Sequence, residues 1–301
     1  MFNTTDTDFA GLAEEAPKLS LHIGGAAKDM QMARDAVRGN EEDVRDLFVR
    51  GWGSEFDCAL VCVGLGGGTG SGTALPLVKL ARSYMEGLNL PVRVGAIVSL
   101  PDTTDGQRIA GNAVTAFNEL VAAGVSPILV IDNDRVHKLY DPKLPQLYNT
   151  ANRVVSDLLH LLNRLGATRS PYITFDRSEF TQLLDAGIVV VGSADLALDE
   201  IKSPADVSTM IREQLAESVL AEVDLGTGTK AACIFVGTEE ALNMYNKDYF
   251  AAGFTQLDRI VGSSRPEGTD TIVHRGIYPL GTEGLQDRKS TRLNSSHTIQ
   301  S

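Results

Sequence analysis

Cysteine is scarce among the 301 residues, with only three present, and a single tryptophan and five histidines accompany them. Cys58, Cys62 and Cys233 are too few, and too embedded in apolar runs, for a disulfide framework or a cysteine-built metal site. Buried thiols of a reducing compartment are the reading they support. No apolar run approaches the about 20 residues of a membrane span. No basic stretch followed by an apolar one reads as a secretory leader. The net charge is −12 and no lysine- or arginine-dense stripe interrupts it, so direct nucleic-acid binding is not expected. These absences point to a cytoplasmic chain, and 301 residues suffice for two modest domains or one large one.

Lysine is also missing from Gly64-Leu65-Gly66-Gly67-Gly68-Thr69-Gly70-Ser71-Gly72-Thr73. This run follows the apolar Cys58–Val63 and opens onto a helical pattern from Ala74 to Met85. A strand, a glycine-rich loop and a helix N-terminus bring backbone N–H groups together on a phosphate. A Walker A loop needs Gly-Lys-Ser/Thr, and the first lysine after the run is Lys79. The dinucleotide fingerprint fails too, because its third glycine falls on Thr69 or Ser71. A glycine-rich turn without a ligand is the plain alternative. Gly-Gly-Gly-Thr-Gly-Ser-Gly resembles the signature loop of the tubulin/FtsZ family of polymerising GTPases. That resemblance implies GTP or GDP as ligand, with Gly66, Gly67, Gly68, Thr69, Gly70, Ser71, Gly72 and Thr73 around the phosphates and Mg²⁺ as cofactor.

The pattern around the loop alternates. A helix is predicted over 41–50, then strand 58–63, helix 73–86, strand 92–99, helix 106–123 and strand 127–131. Such alternation implies an α/β fold with a mostly parallel sheet, and ligands bind at the carboxyl ends of its strands. The glycine loop, loop 100–106 and loop 132–135 all fall there. A long helix follows, 146–166, closed by Gly166. Beyond it come helix 177–184, strand 187–192, helix 204–222, strand 230–236, helix 238–247 and strands near 259–263 and 271–276. The resulting division is a nucleotide-binding domain at 1–145, the central helix, and a smaller α/β domain at 167–286. The family resemblance spans about 1–286 and implies that a first strand, turn and helix are missing ahead of Met1. Residues 287–301 resemble a translated sequencing adapter, lack a hydrophobic period, and are set apart as a non-native tail, with the natural chain expected to run on past Gln286.

Three further clusters carry candidate chemistry. Tyr148 and Asn152, at the start of the long helix, share a face and offer stacking and a donor–acceptor edge; an ordinary N-cap cluster is the bland reading, and the resemblance makes them guanine contacts. Asp176 and Glu179 stand three apart at a loop-to-helix junction. That spacing is a capping box, and it also suits two carboxylates that polarise a water. The segment Ile173–Phe180 resembles the family's synergy loop, which implies that both acids act in trans on the next subunit of a head-to-tail filament; Thr174 stands where the family usually has asparagine. Asp105, Arg108 and Asn133 resemble weaker ribose and phosphate contacts, although Ile109 occupies the place of the family's arginine. Gly24–Ala27 resembles the γ-phosphate loop, and Asp6 and Asp8 are candidates to approach Mg²⁺. The implied protein is a cytoskeletal GTPase of division or cell shape, its partners itself and membrane-tethering or division proteins. A non-polymerising regulatory homologue stays open, as does a nicotinamide-dependent oxidoreductase using Glu86.

Overall fold

The computed structural model describes residues 1–6, 9, 14–140, 147–218, 220–266, 268–279 and 292–300. Asp8 and residues 141–146 and 280–291 therefore lie outside the described residues. The chain forms two compact units, Met1–Asp134 and Arg135–Ser301.

In the first unit, β1 (Phe2–Asn3) and β2 (Leu19–Ser20) make a short parallel pair. Then come α1 (Met30–Gly39), α2 (Glu41–Trp52), β3 (Ala59–Gly64), α3 (Gly68–Gly87), β4 (Val94–Leu100), α4 (Gln107–Ala122) and β5 (Ile128–Asp132). β3, β4 and β5 are parallel, in a register that sets Gly64 opposite Ser99 and Leu100 opposite Asp132. All three carboxyl ends thus reach one edge, as the alternating pattern implied. β4 reads Val-Gly-Ala-Ile-Val and is buried along that whole stretch, as expected for a strand covered on both faces.

Two elements differ from expectation here. α1 was not among the expected helices; it buries Ala33, Ala36 and Val37 at helical spacing, and Asp29 caps it by accepting from the Gln31 and Met32 amides. α3 begins at Gly68 rather than near residue 73. Glycine is a poor helix former, yet tertiary packing demands it: a Cβ on Gly68 would sit 2.6 Å from the Asp29 nitrogen, and one on Gly72 would sit 2.8 Å from the Ala33 Cβ.

In the second unit, α6 (Leu147–Ala167) follows α5 (Asn133–Tyr140), which straddles the division. Asn133 therefore opens a helix, and the expected loop 132–135 is not there. Gly166 does not stop α6; the helix passes through it. α7 (Arg177–Leu184), β6 (Ile188–Ala197), α8 (Pro204–Ser218), β7 (Lys230–Gly237), α9 (Glu239–Asn243), α10 (Lys247–Ile260) and β8 (Ile272–Pro279) complete the unit with β9 (Arg292–Gln300). The strand expected near 259–263 is replaced by the end of α10, whose buried Phe250, Gly253, Phe254 and Leu257 follow the helical period. Phe235 of β7 meets Phe250 and Phe254 edge-on at 5.4 and 5.3 Å, which centres the core.

β7 pairs parallel with β8, and β9 lies antiparallel between β6 and β7. Residues 292–300, set apart on sequence grounds, occupy this strand position. A ladder is built from main-chain groups, and a segment without proline or glycine fills a strand position with no hydrophobic period.

Candidate functional site

The glycine loop turns from β3 into α3 over three residues. Gly66 takes φ +108°, a conformation that favours glycine, and its amide donates to the buried Ser71 Oγ at 2.7 Å. Its carbonyl accepts from Asn112 Nδ2 at 3.0 Å, and the same nitrogen donates to the Lys28 carbonyl at 3.0 Å. Thr69 exchanges a 2.7 Å hydrogen bond with Thr4. Ser71 and Thr73 are buried, each 1% exposed, so they brace the turn rather than face solvent.

The glycines divide into two kinds. A Cβ on Gly66 would strike the Ile109 side chain; one on Gly68 would crowd Asp29 and Ala26; one on Gly70 would overlap the Gly64 carbonyl. These glycines let protein backbone pack against protein backbone. Gly67 alone of the run from Gly66 to Gly72 has nothing within 4 Å of its Cβ position among these residues. It is the N-cap of α3, and no side chain caps that terminus. The first-turn N–H groups of a helix have no intrahelical acceptor, so an open, uncapped N-terminus with partial positive charge is left beside Gly67.

A second loop reaches this terminus. Within 22–28, His22, Ala27 and Lys28 adopt φ of 50°, 44° and 64°, and Gly24 and Gly25 are also left-handed. Non-glycine residues pay roughly 1–2 kcal/mol each for that conformation, and Ala26 lies directly against Gly68. The Gly24–Ala27 match thus falls beside the glycine loop. Thr103–Asp105 forms a turn with its own capping box, Asp105 accepting from the Asp102 amide at 2.9 Å. Asp134 accepts from the Thr103 amide at 3.1 Å and ties that turn to the start of α5. Asp105 and Arg108 are exposed; Ile109 packs on Gly66, so its position serves the loop's shape. Asp6 pairs with His22 at 3.2 Å. Among the described residues no three His, Cys, Asp or Glu side chains cluster as a metal site.

A cavity of about 580 Å³ opens between β3, α2 and the first turns of α3, walled by Phe48, Trp52, Cys62, Thr69 and Thr73. Cys62 is exposed and Cys58 half-buried, contrary to the expectation of three buried thiols, and Cys62 lies on the face of β3 that opens onto this cavity.

In the second unit, Asn152 is exposed on the first turns of α6, and Tyr148 lies one turn earlier with its side chain outside the described residues. Asp176 and Glu179 do form the capping box of α7: each carboxylate accepts the other residue's amide at 2.9 Å. Asp176 is exposed, whereas Glu179 also meets His274 Nδ1 at 3.2 Å. Thr174 Oγ1 is engaged locally with the Ser170 amide and carbonyl. Asn112, Ile109, Thr4 and His274 were not found by sequence reasoning, since each acts on a residue far away in the chain that no local pattern records.

Known proteins resemble this chain in sequence and in fold. The "Tubulin like" family model matches residues 22–164. The chain is 27% identical over 215 residues to cell division protein FtsZ 1 of Pyrococcus horikoshii, covering 70% of this chain and 52% of that protein. It is 23% identical over 268 residues to the tubulin-like protein TubZ of Bacillus cereus, covering 82% and 60%. The chain thus spans between half and three-fifths of these relatives' length. The GTPγS-bound protofilament of CetZ2 from Haloferax volcanii superposes with a TM-score of 0.76 at 20% identity, covering 99% of this chain and 82% of that one. Among the described residues no helix is long and apolar enough to cross a membrane.

Proposed function

We propose that this chain, which belongs to the tubulin/FtsZ family, binds GTP and GDP on the uncapped N-terminus of α3 and hydrolyses GTP as it assembles head to tail. One observation carries the nucleotide reading: Gly67 is a glycine that packing does not require, at the uncapped helix N-terminus that the glycine-rich loop feeds. A phosphate approaching there meets unpaired amides, the helix dipole and no Cβ. The left-handed Ala27-Lys28 turn beside Gly68 suits a sensor of the γ-phosphate, because strain kept beside a ligand site is strain the ligand can use. Gly67 and the first-turn amides of α3 hold the phosphates, with Asp105, Arg108 and Asn133 toward the sugar. Mg²⁺, when bound, neutralises charge developing on the β- and γ-phosphates.

Hydrolysis needs a positioned water, and Asp176 is the carboxylate that faces solvent. It acts on the nucleotide of an adjoining subunit, with Glu179 holding its backbone through the capping box. Tyr172, Ile173 and Met244, 39%, 38% and 62% exposed, are large apolar groups close to that junction, and Tyr172 bonds Asn243 at 2.9 Å. This supports a face that a second copy covers.

Calorimetry with GDP tests the first half, and turnover per subunit against protein concentration tests the second. A rate that rises with concentration is expected; no heat with GDP defeats the site, and concentration-independent turnover defeats action in trans. The local engagement of Thr174 favours a second reading, a homologue that binds the nucleotide without dynamic assembly. Pelleting with GTP but not GDP decides against it.

A further inference from the structure

One face of β8 is built around the acidic junction. His274, Gly276 and Tyr278 alternate along that face. Gly276 leaves the gap: a Cβ there would lie 3.2 Å from the Phe175 Cβ, so Phe175 seats directly on the strand. Tyr278 is fully buried beside it, with its hydroxyl accepting from the Phe175 amide at 2.7 Å and donating to the Phe175 carbonyl at 2.9 Å. Burial pushes the Tyr278 hydroxyl above its ordinary pKa, which keeps the donor protonated. At the other end, His274 is 7% exposed and its Nδ1 lies 3.2 Å from Glu179 Oε1. An ionised carboxylate only accepts, so Nδ1 carries the proton and donates. Nε2 is then left buried without a partner among the described residues. A histidine held with one nitrogen unsatisfied is costly to keep for packing alone.

We infer that His274 and Tyr278 are positioning residues for the proposed hydrolysis: they clamp the backbone before Asp176 and the Glu179 carboxylate after it, fixing where Asp176 presents its free oxygen. The inference rests on the GTPase reading. Its physical basis is that a water must be held to within a fraction of an ångström for attack, and Asp176 itself is exposed, with its Oδ1 held by the Glu179 amide. Glu179 has both oxygens occupied, one by the Asp176 amide and one by His274, so it serves as a strut. Ser170 Oγ on the Ile277 carbonyl and the Ile277 amide on the Ile173 carbonyl at 2.9 Å extend the same attachment upstream.

The test is steady-state GTP turnover by the full chain carrying His274→Ala, His274→Asn or Tyr278→Phe, with GDP affinity and thermal unfolding measured alongside. His274→Ala is expected to lower kcat about tenfold while KM and GDP affinity stay within about twofold. Asparagine places an N–H near the lost Nδ1, and is expected to recover most of the rate. Tyr278→Phe keeps the ring and is expected to lower kcat by about threefold or more. Unchanged kcat in His274→Ala, an equal loss of GDP affinity, or an asparagine variant no better than alanine overturns the inference. If His274→Ala fails to fold, Tyr278→Phe decides, and full kcat there overturns it. Wild-type chain that binds GDP yet never hydrolyses GTP marks failure of the functional reading instead.

Discussion

Gly67 and Gly68 are neighbours whose replacement by alanine should have opposite consequences. A Cβ on Gly68 would lie 2.6 Å from the Asp29 nitrogen, 2.9 Å from the Ala26 Cβ and 3.0 Å from the Ala26 carbonyl. The first distance falls roughly 0.8 Å short of ordinary contact, and the obstacle is main chain, already closed by the Asp29-to-Ala26 hydrogen bond. Overpacking of this kind costs about 1–3 kcal/mol, or roughly 3–10 °C in Tm for a domain of this size. At Gly67, φ is −70° and ψ 165°, open to any residue, with empty space around the Cβ position. Alanine is a poorer N-cap than glycine by about 0.5–1 kcal/mol. It restricts the unfolded chain by a similar amount, so stability should move by less than about 1 kcal/mol. Its methyl nevertheless stands where a phosphate would approach, and GDP affinity should fall at least about tenfold, or 1.4 kcal/mol. Thermal denaturation and GDP calorimetry on both variants read the two effects separately. Wild-type affinity in a folded Gly67→Ala refutes the phosphate cradle, and wild-type stability in Gly68→Ala refutes the packing argument.

Asp176→Asn should leave GDP affinity unchanged and reduce GTP turnover about a hundredfold; mixing it with Gly67→Ala, whose acidic junction is intact, should restore part of the rate if the acid works across subunits. Lys28→Gly should raise stability by about 1 kcal/mol by relieving the left-handed residue at φ 64°, since the Lys28 carbonyl still accepts from Asn112; a lower Tm contradicts the strain. Hydrogen bonds from the Lys202 amide, then the Ser203 hydroxyl and amide, hold the Asp206 carboxylate below its ordinary pKa. Its contribution is therefore present above about pH 4 and lost as pH falls through the depressed folded value. Denaturation of Asp206→Asn should show a deficit at pH 7 that closes on acidification; a deficit constant from pH 7 to pH 2 excludes that origin.

Much of the first unit was legible because its pattern is local. β3, β4, β5 and α4 matched the periodicity within two residues, since a strand buried on both faces and an amphipathic helix both write their burial into neighbouring positions. Where the reading missed, the deciding contact was distant. α3 starts five residues early because Asp29 and Ala33 of another helix lie against its glycines. The helix α10 replaced an expected strand because Phe250, Gly253 and Phe254 must reach Phe235.

By itself the sequence determined the strand–loop–helix unit, the absence of lysine from its loop, and the acidic capping box before α7, since each depends on residues a few positions apart. Only the tertiary structure decided which glycine of the loop has open space at its Cβ position, that Ile109 shapes the loop, and that β8 holds the acidic junction. Those outcomes come from close approach between segments far apart in the chain, and no local spacing encodes which backbone will lie against which Cβ.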